Sequence, residues 1–184
     1  MIGTVTYDGL RGTVFWYNQF GTRVYDLIFS TLAFLGINLL LIGLYRFACY
    51  FALKVSNSDY SLAEVSLTFA HTMLPIAFAY HVTHYLSLLL FESQTFFYRL
   101  NNPIGTGANL FGIDDITVVY FLSPVALWTI QVIITLLGHM LSVILAHDLS
   151  VKLFGHEKSD KTQYIFLFIT VALTLQALFV LSVP

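Results

Sequence analysis

Histidines are the residues of this sequence whose type and spacing could do chemistry. Five of the six fall within two long apolar stretches, at His71, His81, His84, His139 and His147. An ionisable side chain is costly inside a bilayer, and it usually faces the interior of a helix bundle or a functional site. These five residues are therefore the starting point for predicting function.

His81 and His84 form the sharpest local motif. In the sequence HVTH they are three residues apart, so on a helix both imidazoles lie on one face within reach of a single metal ion. Imidazole pairs suit copper or zinc, which would need one or two further ligands. The carboxylates that can be reached from the same side of the membrane are Asp26, Glu92, Asp114 and Asp115. We predict a metal site from these residues; the open alternative is hydrogen bonding of both histidines to Tyr80, Thr83, Tyr85 or backbone.

His71 and His139 are the candidate cofactor ligands deeper in the membrane. They lie on two consecutive antiparallel spans at similar predicted depths, which suits axial ligation of a haem or two ligands of a metal site. An interhelical hydrogen bond would explain them equally well. Haem is less favoured than copper or zinc, because two stacked haems need matched spacings. The separations are 13 residues from His71 to His84 and 8 from His139 to His147.

The composition indicates a membrane protein. Of 184 residues, 58% are hydrophobic and only 10% are charged, against roughly 25% charged in a typical soluble domain. Four apolar segments, at about residues 27–46, 62–91, 116–147 and 163–183, are long enough to cross a hydrocarbon core of about 30 Å. A lipid-exposed backbone must satisfy its own hydrogen bonds, so all four are predicted to be helices. The fold class is therefore all-α: one membrane domain over residues 1–184, a four-helix bundle with up-down topology.

Charge distribution predicts the orientation of the bundle and excludes one class of partner. One side holds Arg46, Lys54, Lys152, Lys158 and Lys161, and the other holds Arg11, Arg23 and Arg99. By the positive-inside rule, both termini are expected on the extracytoplasmic side of the cell membrane. The formal net charge is -2, which gives no basic footprint for nucleic acid.

Small and polar residues within the spans predict how the helices pack. Pro75 removes the backbone hydrogen bond to the His71 carbonyl and should kink the second span. Gly138, Ser142 and Ala146 recur every four residues and form a face that lets another helix approach closely. Gln131 and Gln176 are predicted to hydrogen-bond across helices. Further glycines on the first span, Gly36 and Gly43, could serve contacts with other subunits.

Four stretches carry a resemblance to a known family: YDGLRGTVFW (7–16), AHTMLPIAFAYHVTHYLSLLLFESQ (70–94), NNPIGTGANLFG (101–112) and GHMLSVILAHDLSVKLFG (138–155). Through them the chain resembles the C-terminal half of the fenitrothion hydrolase-like multi-pass membrane proteins of bacteria and archaea. The resemblance implies a membrane architecture and organophosphate ester hydrolysis, but it carries over no catalytic residue. The N-terminal half of the longer members has no counterpart, so we expect a separate subunit or a complex to replace it.

Three functions follow from these features. The leading prediction is an integral membrane subunit of a larger complex, such as a copper-dependent oxidoreductase, with the intramembrane histidines as ligands and other membrane subunits as partners. The second is a stand-alone membrane hydrolase acting on phosphoesters. The third is a purely structural subunit whose histidines hydrogen-bond neighbouring helices.

Overall fold

The computed structural model describes residues 2–21, 23, 26–105, 107, 109–112 and 117–182, with side chains to residue 180. The described residues contain helices and irregular segments and no strand. The helices are α1 (Ile2–Arg11), α2 (Val14–Phe20), α3 (Leu27–Ser56), α4 (Leu62–Ala70), α5 (Leu74–Leu90), α6 (Phe96–Asn101), α7 (Pro124–Phe154) and α8 (His156–Ser182).

Within the described ranges, four helical segments are long and apolar enough to cross a membrane. They are α3, the nearly continuous α4 and α5 (Leu62–Leu90), α7 and α8. This confirms the prediction of an all-α, four-span membrane bundle. The end of the bundle with the two short connections, after α3 and between α7 and α8, is called the short-loop end below, and the opposite end is the long-loop end.

The ends of the spans differ from the predicted ones because local capping decides them. Helix α3 runs ten residues past position 46 and stops where Asn57 takes a left-handed conformation (φ 47°). Helix α7 starts at Pro124 rather than at 116, since the Ser123 side chain accepts a hydrogen bond from the Ala126 amide. Only Gly155 (φ 76°) separates α7 from α8, so the residues between the predicted third and fourth spans are almost all helical.

The second span is kinked, as Pro75 predicts. A 3-10 turn over His71–Met73 separates α4 from α5, and the Leu74 amide donates to the His71 carbonyl. The Ile76 amide donates instead to the Ser142 hydroxyl of α7, at 3.0 Å. A polar group of the disturbed backbone therefore finds its partner on a neighbouring helix, as a bilayer requires.

Helix α7 approaches α5 closely at the small-residue face that the sequence predicts. Gly138, Ser142 and Ala146 are all buried. A Cβ atom at Gly138 would overlap the Cβ of Ala79 and lie 2.9 Å from the Pro75 carbonyl oxygen. The absence of a side chain at Gly138 is thus what lets the two backbones meet.

The two ends of the bundle are packed differently. At the short-loop end, α3 packs against α4 and α8 around a core of Ala48, Cys49, Ala52, Val65, Phe69, Ala146, Phe154 and Phe166. Towards the long-loop end, the short helix α1 packs between α3, α5 and α8. Its Val5 lies in a second core cluster with Tyr80 and Ala177. Helix α1 thus acts as a wedge inside the bundle.

Glycine at position 138 should be required for stability. We expect Gly138→Ala to lower the free energy of unfolding by about 1–3 kcal/mol, because the added methyl group overpacks the contact with α5. The matched control is Gly36→Ala, where no described atom lies within 4 Å of an added Cβ and alanine favours the helix. Denaturant unfolding in detergent measures both; equal stability of the two variants would contradict the packing described.

Candidate functional site

A carboxylate–imidazole contact between distant parts of the chain joins α1 to α5. Asp8 Oδ2 lies 2.9 Å from His84 Nε2, and the side chains are 53% and 15% exposed, respectively. The Tyr85 hydroxyl is a weaker donor to the same carboxylate oxygen, at 3.5 Å. A carboxylate, an imidazole and a phenol therefore meet near the long-loop end.

Small residues on α1 make this contact possible. Gly3, Val5, Thr6 and Gly9 are its buried residues. A side chain at Gly3 would overlap Asn38 of α3, and one at Gly9 would overlap Val180 of α8. With this face turned inwards, α1 brings Asp8 to α5.

Of the predicted metal ligands, His81 and His84 do lie near one another on α5. Both imidazole rings contact Tyr85, with ring centroids 5.0 Å from it for His81 and 4.8 Å for His84. His81 is exposed, whereas His84 is mostly buried. The Asp8 contact occupies Nε2 of His84 and leaves Nδ1 as the ring nitrogen that could bind a metal ion.

The predicted carboxylate ligands do not complete this site among the described residues. Glu92 is exposed on a 3-10 turn after α5 and lies about 12 Å beyond His84 along the helix axis. Asp26 caps α3, because its Oδ1 accepts from the Phe29 amide at 3.0 Å. Asp114 and Asp115 fall outside the described residues. Within the part of the chain that is described, no three His, Cys, Asp or Glu residues are grouped to hold a metal ion.

The structure does not bring His71 and His139 to one level. Ile76 meets Ser142 and Ala79 meets Gly138, so His71 is level with position 147 and His139 with position 79. The two histidines are therefore about 12 Å apart along the bundle axis, at about 1.5 Å per residue. A single haem between them would lack one axial ligand.

Two histidines on α7 hydrogen-bond to α8 instead. His139 Nδ1 lies 3.1 Å from the Thr174 hydroxyl, and His147 Nδ1 lies 2.7 Å from Gln163 Oε1. His71 is exposed at the kink. With His84 bound to Asp8, three of the five intramembrane histidines thus contact a neighbouring helix.

The predicted hydrogen bond of Gln131 to a neighbouring helix is confirmed, since its Nε2 donates to the Thr83 carbonyl of α5 at 2.8 Å. Asp8, in contrast, was missed by sequence reasoning. Its signal is the spacing of Gly3, Thr6 and Gly9, which places small side chains every three residues on a short helix.

Chemically, the arrangement of Asp8, His84 and Tyr85 can hold or transfer a proton, or it can orient an imidazole toward a metal ion. Comparison of the chain with protein-family models, with curated proteins and with solved structures finds no match. The predicted relation to the fenitrothion hydrolase-like family therefore stays a prediction.

The contact between Asp8 and His84 should be measurable as an energetic coupling. We expect Asp8→Asn and His84→Gln to be non-additive in a double-mutant cycle of unfolding in detergent, with a coupling of about 0.5–1 kcal/mol for this partly exposed pair. His147→Gln combined with Asp8→Asn is the matched control and should be additive. Additivity of the Asp8 and His84 variants would show that the pair does not hold α1 in place.

Proposed function

We propose that this chain is an integral membrane subunit of a larger membrane complex. The observation that carries the proposal is the burial pattern of α3. Its buried residues are Ala48, Cys49, Ala52 and Ser56, all in the half nearest the short-loop end. No residue in its most apolar stretch is buried, whereas about a third are buried in the other three spans.

The exposed half of α3 has a shape suited to another helix. Gly36 and Gly43 are two helical turns apart, and apart from the adjacent backbone of α3 itself no described atom lies within 4 Å of a Cβ built at either. Glycines on one face let helix backbones approach closely, and packing rather than hydrophobicity drives helix association in lipid. Lipid could cover the same surface, but an acyl chain gains no specific packing contact from the missing side chains at the two glycines.

The proposal includes an orientation. All four lysines, Lys54, Lys152, Lys158 and Lys161, lie at the short-loop end, and Lys158 caps α3 by donating to the Ser56 carbonyl at 2.7 Å. The positive-inside rule supports a cytoplasmic short-loop end. Both termini would then face the extracytoplasmic side of the cell membrane.

A metal-dependent oxidoreductase role is the second candidate, and the Asp8 contact favours it. A carboxylate bound to one imidazole nitrogen orients the other toward a metal ion and raises its basicity. His81 and His84 would be two ligands of copper or zinc, and a third ligand would have to come from outside the described residues, such as Asp114 or Asp115. No comparable observation supports the alternative of a stand-alone phosphoester hydrolase.

Membership in a complex predicts that bulk on the exposed face of α3 disrupts assembly. Wild-type chain extracted in mild detergent should migrate on a native gel with a larger complex. The double variant Gly36→Leu, Gly43→Leu should migrate as the free subunit, because leucine would block the helix approach. Ala63→Leu also introduces a leucine, at an exposed position of α4, and should leave migration unchanged. Wild-type chain that runs without partners would contradict the proposal.

The metal role predicts that metal content depends on His81, His84 and Asp8. We expect detergent-purified protein to contain copper or zinc, and His81→Ala and His84→Ala each to lose it. Asp8→Asn should weaken metal binding by about 10–100-fold, the usual effect of removing such a carboxylate. His147→Ala is the control that should keep the metal. Full metal content in both His81→Ala and His84→Ala would rule out this site.

A further inference from the structure

A cavity of about 820 Å³ lies near mid-membrane between α1, α3, α5 and α8. Its walls come from residues 37–45 of α3 and residues 168–176 of α8, close to the centres of both helices. Small-molecule sites usually measure about 300–1,000 Å³, so the cavity has the size of a ligand site. Its position means that a ligand would have to be soluble in lipid.

The cavity opens sideways toward the hydrocarbon region. Leu40 of α3 and Leu74 of α5 both line it and are also exposed on the outer surface, at 62% and 61%. Helix α3 packs against α1, α4 and α8 rather than against α5. The gap between α3 and α5 therefore gives an apolar molecule a lateral route from the bilayer.

Three buried polar atoms lie at or beside one wall of this cavity. They are Thr6 Oγ1, Tyr80 Oη and Gln176 Nε2, from α1, α5 and α8. Thr6 and Gln176 line the cavity, and the Tyr80 side chain lies beside Thr6. Thr6 and Tyr80 are 3% and 2% exposed. The Thr6 and Tyr80 hydroxyls are close enough to hydrogen-bond to each other, whereas Gln176 Nε2 has no partner among the described residues. Buried polar groups are nearly always paired, so this amide nitrogen points to a partner that the described part of the chain does not supply.

We propose that the cavity binds an elongated, mostly apolar small molecule that carries a carbonyl group. The carbonyl oxygen accepts a hydrogen bond from Nε2 of Gln176, whose side chain lines the cavity. The aliphatic walls hold the rest of the molecule. A lipid ester and a quinone share this chemistry.

Photolabelling of the purified full chain tests the proposal. The protein is held in an alkyl maltoside detergent, which has no carbonyl group to compete. The probe is a long-chain fatty acid methyl ester with a diazirine on its chain, and the matched probe is an alkane of equal length with the same diazirine. We expect the ester to label the segments of α5 and α8 that line the cavity saturably, at least 10-fold more tightly than the alkane.

Variants separate recognition of the carbonyl from simple filling of space. Gln176→Leu should weaken ester binding about 10-fold, the value expected for one hydrogen bond, and leave alkane binding unchanged. Ala172→Phe adds bulk at an exposed lining position and should abolish labelling by both probes. Gln163→Leu, at the short-loop end, is the control and should bind both probes like wild type.

Competition identifies the source of the carbonyl. Displacement of the ester probe by phosphatidylcholine would indicate a bilayer lipid, and displacement by a decyl-substituted benzoquinone would indicate a quinone; either supports the proposal. Equal binding of ester and alkane, or unchanged ester binding in Gln176→Leu, would overturn it, since the cavity would then take up any acyl chain. Absence of labelling at the lining segments would overturn it as well.

Discussion

A polar group inside a bilayer has no water to bond, so it must find its partner within the protein. This constraint decides which helix faces meet here. The Ile76 amide, released by the kink, bonds to Ser142, and Gln131 reaches the Thr83 carbonyl. Because lipid tails are as apolar as leucine, such bonds and close small-residue contacts, rather than burial of apolar area, specify the packing of α5 against α7.

The same constraint gives the short helix α1 its importance. It places Asp8 against His84 at the long-loop end and Thr6 beside the mid-membrane cavity. Both candidate sites therefore depend on one ten-residue helix that enters the bundle between α3 and α5. A change that released α1 would separate Asp8 from His84 and open the cavity at the same time, which links the two sites physically.

Local properties of the sequence were enough to predict the four spans, the kink at Pro75 and the small-residue face of α7. Length and hydropathy identify a span without its neighbours, proline acts on its own helix, and the Gly138 spacing is a property of α7 alone. The pairing of His71 with His139 failed because depth was counted from assumed span midpoints. Helix α7 begins and ends about eight residues later than predicted, so the depth in the membrane of every residue on it differs from the predicted one. The role of α1 was missed because Tyr7 and Asp8 make the segment look like an exposed polar tail.

The most direct test of this account is the proximity of Asp8 to His84 in a bilayer. Solid-state NMR can measure the dipolar coupling between the carboxyl carbon of Asp8 and Nε2 of His84 in selectively labelled protein. The account predicts a strong coupling, together with amide protons of α1 that exchange as slowly as those of α5. No detectable coupling and rapid exchange along α1 would show that the helix lies outside the bundle, and the central claim would be wrong.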